Sequence, residues 1–111
     1  MREAARSVPI AAGVQYYALR LVLATHPETE YAPAASRKYL RFGASPRAAQ
    51  AMLSTARVRA LNQGRFNVAF EDIRFVAPAC LRHRLGLNFD AVTEGRSMEE
   101  ILKEILESVP C

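Results

Sequence analysis

A chain of 111 residues, half of them apolar and 23% charged, is long enough for one domain with a real core and too apolar for intrinsic disorder. No apolar run reaches the length of a membrane span, the first ten residues MREAARSVPI lack a signal-peptide core, and two cysteines, Cys80 and Cys111, make no disulfide framework. The net charge of +4 conceals an asymmetry: residues 1–89 carry thirteen Lys/Arg against five Asp/Glu, and residues 90–111 carry two against six. Arginine outnumbers lysine thirteen to two, and its planar fork suits phosphates and carboxylates, so the basic part suggests an anionic partner.

In chain order, Val14, Tyr17, Ala18, Leu21, Val22 and Thr25 fit the spacing of one helical face and predict a helix over residues 10–25. Pro27 ends it, and Arg2 to Arg6 read as the tail of an earlier helix. HPETEYAPAAS reads as a loop and RKYLRF as a short extended piece. The second helix is predicted over residues 45–63, with Ser45 capping it, Pro46 at its first position and Gly64 at its C-terminal cap. Its stripe is Ala49, Met52, Leu53, Ala56 and Ala60. RFNVAF follows as an extended link. A third helix begins near Glu71-Asp72, whose carboxylates suit a helix N-terminus, and its stripe is Ile73, Val76, Ala77, Cys80 and Leu81. Pro78 inside it predicts a kink or restart near Phe75. LGLNFDAVTEG reads as loop with at most one short strand. In the last helix Ser97 and Glu100 form a capping box, Met98, Ile101, Leu102, Ile105 and Leu106 line one face, and Pro110 stops it. The expectation is a mainly all-α fold: one domain over residues 1–111, an irregular bundle of four main helices with at most a minor two-stranded β element.

The chemistry is sparse. No Gly-x-x-x-x-Gly-Lys-Ser/Thr loop and no His-Glu-x-x-His occurs, so the chain by itself is expected to be no enzyme, with no catalytic residues and no metal site. Cys80 and His83 are three apart, but two ligands do not make a zinc site. Glu71-Asp72 and Glu99-Glu100 are explained by helix capping. Arg57, Arg59 and Arg65 read as a solvated helix face. Arg47 is different. It falls in the first turn of the second helix, where the helix dipole disfavours a cation by roughly 0.3–1 kcal/mol. Either it is a surface charge, in water or paired with Glu71 or Asp72, or it meets an anion at the helix start.

Several pieces in fixed order carry a resemblance: Gly43-Ala44-Ser45-Pro46-Arg47-Ala48, then Gly64-Arg65, Val68, Glu71-Asp72-Ile73, Ala77-Pro78 and Leu81-x-His83-Arg84-Leu85. Together they resemble the C-terminal lid domain of the MoxR branch of AAA+ ATPases, over about Val14 to Leu106. The resemblance implies a helical lid that follows a P-loop ATPase core, a core not present in these 111 residues. In the family the arginine of the Gly-Ala-Ser-Pro-Arg-Ala motif is the sensor 2 residue, which reaches the ATP phosphates. The resemblance assigns that role to Arg47, with Gly43, Ser45 and Pro46 as motif support. It further implies ATP and Mg2+ as cofactors of the full-length protein and a ring built from neighbouring subunits. It also implies a chaperone role in protein maturation or metal insertion, with a von Willebrand factor A-domain partner, in the cytoplasm and without membrane contact.

Two positions depart from the family pattern. His26 stands where an arginine usually follows Ala-Thr, and Ala69-Phe70 replace a small polar residue and proline before Glu-Asp. The third helix is therefore expected to recruit Asn67 or water as its cap, or to begin later. The alternative to a lid is a small basic helical nucleic-acid-binding domain, though no helix gathers basic and polar reading residues on one face. A protein-interaction module with an apolar groove is a third option. The isolated chain is expected to be a monomer that dimerises in air through Cys111.

Overall fold

Helices form where the sequence repeats apolar residues at helical spacing, and the joints between them are built from side chains that spacing does not report. The computed structural model describes residues 9–110. Its elements in chain order are α1 (Ala12–Ala24), α2 (Ala34–Tyr39), β1 (Leu40–Phe42), α3 (Pro46–Asn62), α4 (Phe70–Leu81), β2 (Gly86–Leu87), α5 (Phe89–Thr93) and α6 (Met98–Ser108). The strands pair antiparallel, Leu40 opposite Leu87 and Phe42 opposite Gly86, with an irregularity between the two pairs. The tail expected over Arg2 to Arg6, and Cys111, lie outside the described residues.

The principal helix pair is α3 against α4. α3 offers a buried face made almost entirely of alanine (Ala48, Ala49, Ala56 and Ala60 around Met52), and small side chains let the two helices approach closely. α4 answers with Ile73, Val76, Ala77 and Leu81. α1 crosses both through Val14, Tyr17, Ala18, Leu21 and Val22, and α6 seals the assembly with Ile101, Leu102 and Ile105 against α4, α1 and α2. The Tyr17 ring meets the Phe70 ring edge-on, centroids 5.5 Å apart at 75°, an arrangement worth about 0.5–1.5 kcal/mol beyond its buried area. Gly64 takes φ +74° just past α3, the left-handed cap its sequence position predicts.

The fold corrects several expectations. There are six helices among the described residues, the four expected ones and two short additions. The predicted loop HPETEYAPAAS and the first half of the extended piece RKYLRF instead contain α2, while Leu40–Phe42 form the strand β1, and LGLNFDAVTEG contains α5 after its one short strand β2. Both additions are too short for a periodic pattern and are held by tertiary bonds. Ser36 Oγ donates to Ala24 O at 2.6 Å from inside α2. Asn88 caps α5 by accepting from Ala91 N–H at 2.9 Å, while its own side-chain and backbone N–H groups donate to Lys38 O and Tyr39 O at the end of α2. α4 runs unbroken through Pro78, without the expected restart near Phe75. It begins at Phe70, with neither Asn67 nor a later start. Its cap is reversed: the Asp72 carboxylate, three residues into the turn, accepts from Ala69 N–H at 2.8 Å.

α6 keeps half of its capping box. Ser97 Oγ accepts from Glu100 N–H at 3.2 Å, but the Glu100 carboxylate turns to Arg96, 3.3 Å from its Nε. Replacing Ser97 by Ala is expected to lower stability by about 1 kcal/mol, read as a fall in denaturant midpoint with an unchanged slope. An unaltered midpoint would mean that the Ser97 bond contributes nothing to the helix start.

Candidate functional site: the start of helix α3

The site is built from the end of α1. Thr25 is fully buried, and its hydroxyl donates to Val22 O at 2.5 Å while accepting from Ala44 N–H at 3.0 Å. His26, next along, has Nε2 2.6 Å from Ala44 O. Gly43 lies so close to α1 that a Cβ there would sit 2.6 Å from Thr25 O, closer than any real side chain tolerates. The end of α1 therefore grips Gly43-Ala44 by both backbone groups of Ala44 and by direct contact. Ser45, Pro46 and Arg47 follow immediately as the N-cap and the first two residues of α3.

The motif residues are thus brought together, with one correction. Ser45 makes no side-chain cap bond. The helix start is held from behind, by α1, and the Ser45 hydroxyl stays at the surface. Arg47 is exposed and makes no hydrogen bond, ion pair or ring contact among the described residues. The carboxylates once open to it, Glu71 and Asp72, are taken by other arginines.

Those arginines overturn the reading of Arg57, Arg59 and Arg65 as a solvated face. Asp72 is completely buried. It receives Arg59 Nη1 at 2.6 Å, Arg65 Nη1 at 3.0 Å and Arg65 Nη2 in addition, besides the Ala69 N–H. Arg65 also reaches Glu71 at 3.1 Å, and the Phe75 ring covers Arg59 at 4.2 Å from centroid to Cζ. Arg57 is half-buried, with its Nε unpartnered among the described residues. Burial alone would raise the Asp72 pKa, but the Ala69 N–H, Arg65 and Arg59 outweigh it and hold the carboxyl below its ordinary value.

Two consequences are measurable. Asp72→Asn leaves two arginines facing a neutral group and is expected to cost about 3–5 kcal/mol in denaturant unfolding. The unfolded chain, with its ordinary carboxylate pKa near 3.9, takes up the proton before the folded one does. The stabilisation from Asp72 is therefore complete above about pH 5 and is lost as pH falls through the folded pKa. A stability profile of Asp72→Asn should lack that acid limb; an unchanged limb would remove Asp72 as its source.

Other candidate residues are dispersed. Cys80 Sγ rests 3.8 Å from Thr55 Oγ1, His83 is exposed, and no group of three His, Cys, Asp or Glu side chains gathers as metal ligands among the described residues. Glu99 pairs with Arg82, and Glu100 and Glu104 with Arg96. Much of the basic surplus is spent internally: Arg59 and Arg65 on Asp72, Arg37 on the carbonyls of Ala32 and Thr29, Arg84 on Cys80 O. No helix of the described residues is long and apolar enough to cross a membrane. Sequence reading missed the functions of Thr25, Asn88 and Asp72. A polar residue in an otherwise apolar register, as Thr25 is in the α1 stripe, is the signal that would have found the first.

The bundle thus presents an exposed, unpaired arginine at a braced helix start. The chain belongs to the AAA lid domain family, whose model matches residues 32–105. Within that family its likeness runs to MoxR-type proteins. It is 37% identical over 93 residues to "Chaperone MoxR1" of Mycobacterium tuberculosis, which covers 84% of this chain and 25% of that protein. It is also 37% identical over 70 residues to the uncharacterized protein YeaC of Bacillus subtilis, covering 63% of this chain and 22% of that one. A crystal structure from Cytophaga hutchinsonii, of a protein assigned as an ATPase, superposes with a TM-score of 0.91 at 36% identity, over 97% of this chain and 33% of the other. The chain thus spans about a quarter to a third of the length of the proteins it matches.

Proposed function

We propose that residues 1–111 act as one lid domain attached to a P-loop ATPase core, and that Arg47 is its sensor 2 arginine, donating to the terminal phosphate of ATP held by that core. The observation that carries this reading is the state of Arg47: exposed, unpaired, and set in the first turn of α3, with Glu71 and Asp72 claimed by other arginines. A cation at a helix N-terminus is locally unfavourable and becomes favourable when an anion arrives. The brace from Thr25 and Gly43 supports the same reading, because a donor must be held in place to discriminate phosphate states.

In this reading ATP and Mg2+ bind at the core, and the lid alone neither binds nucleotide tightly nor hydrolyses it. Movement of α3 with the phosphate would transmit nucleotide state to the lid and to neighbouring subunits of a ring. The likeness to a named chaperone supports a role in protein maturation; a part in metal insertion in the cytoplasm, alongside a von Willebrand factor A-domain protein, belongs to the same proposal.

The test is substitution of Arg47. In the full-length ATPase, Arg47→Ala should slow hydrolysis roughly 10²-fold, on the order of 2.7 kcal/mol of barrier, with Arg47→Lys recovering only part because a point charge lacks the guanidinium fork. In the isolated chain, Arg47→Ala should leave the denaturant midpoint unchanged or slightly raised. Normal turnover in the full-length variant would refute the assignment, and unfolding of the isolated variant would make Arg47 a structural residue.

A further inference from the structure

The His26 side chain meets two acceptors. Its Nε2 lies 2.6 Å from Ala44 O, and its Nδ1 lies 3.1 Å from Glu28 Oε1. A neutral imidazole carries one N–H and can serve only one of them, leaving the other ring nitrogen with a lone pair turned towards an oxygen. The imidazolium donates to both. Glu28, from the segment after α1, is the only carboxylate within 4 Å of the ring among the described residues. From α1 the adjoining residue is the uncharged Thr25, and from the segment before α3 the partner is the uncharged Ala44 peptide. No Lys or Arg bonds to either acceptor among the described residues.

The bond falls where it bears on Arg47. Thr25 holds the Ala44 N–H and His26 holds the Ala44 carbonyl, so two successive peptide groups are tied to α1 directly before the N-cap. Ser45 adds no cap bond of its own. These two tethers therefore bear directly on the direction of the first turn of α3.

We infer that His26 is a positioning residue for Arg47: it fixes the Ala44 carbonyl and so aims the first turn of α3. The effect on ATP turnover rests on the sensor 2 reading; the tether itself does not.

Amide hydrogen exchange at Ala48 and Ala49 in the intact chain reads the tether without nucleotide; the Ala48 N–H bonds to Ser45 O at 2.9 Å in that first turn. After correction for the intrinsic rate, His26→Ala should exchange about 10-fold faster there, the scale of one hydrogen bond. His26→Gln keeps one donor, so it should be intermediate. Protection that is unaltered in His26→Ala would overturn the tether. In the full-length ATPase, His26→Ala should lower turnover in the same direction as Arg47→Ala, and His26→Gln should restore part of it. If Arg47→Ala slows hydrolysis while His26→Ala leaves the rate intact, His26 does not position Arg47 and the sensor 2 reading survives. If Arg47→Ala turns over normally while His26→Ala loosens α3, the tether stands and the nucleotide role of both residues falls.

Discussion

The buried carboxylate of Asp72 is the constraint on which the rest of this lid depends. It sits at the start of α4, in a place where an unpaired charge would be prohibitive. It is tolerated because three sets of donors converge on it: Arg59 from α3, Arg65 from the link that follows, and the free backbone N–H of Ala69. One side chain thereby ties the C-terminal half of α3, the turn after it and the first turn of α4 into a single unit. The alanine-lined contact between those helices supplies burial but little shape specificity, since small side chains can slide past one another. The ion cluster sets their register. Phe75, stacked over Arg59, covers its outer side.

With α3 fixed at one end by Asp72, its other end is fixed by α1. The last turn of α1 is short of intrahelical partners for its carbonyls, as every helix end is. Here Ser36 and Thr29 donate to them, while Thr25 and His26 reach across to Ala44. This terminus is a joint where α1, α2 and the start of α3 meet without a glycine cap. The consequence for function is mechanical. Arg47 is carried on a helix braced at both ends, yet its own side chain is free.

The distribution of arginines divides structure from function more sharply than composition does. Arginines that meet carboxylates or carbonyls inside the fold close the contacts between its elements, whereas Arg47 is left out of every such pair. A basic balance therefore says little about a partner until the internal partners have been subtracted. That subtraction leaves Arg20, Arg41, Arg47 and Arg57 without a carboxylate or carbonyl partner among the described residues, and of these Arg47 alone lies in the first turn of a helix.

The four long helices were legible in the sequence because their apolar residues repeat at the helical period, and period is a local property. The end of α3 at Gly64, the Ser97 cap and the order of the lid motif were legible for the same reason: each depends on residues a few positions apart. The short helices α2 and α5 were not, because six and five residues carry no period and are held by Ser36 and Asn88 bonding to distant backbone. Nor could the sequence tell which arginines were spent. Arg47, Arg59 and Arg65 are alike as residues; partners such as Asp72, thirteen positions from Arg59, meet them only when α4 folds back on α3. The grip of Thr25 and His26 on Ala44 likewise joins residues 19 and 18 positions apart. Local spacing determined which segments became helices and where the lid motif stands. Only the tertiary structure decided which charges were neutralised and which was left exposed, because pairing and burial are set by distance in space.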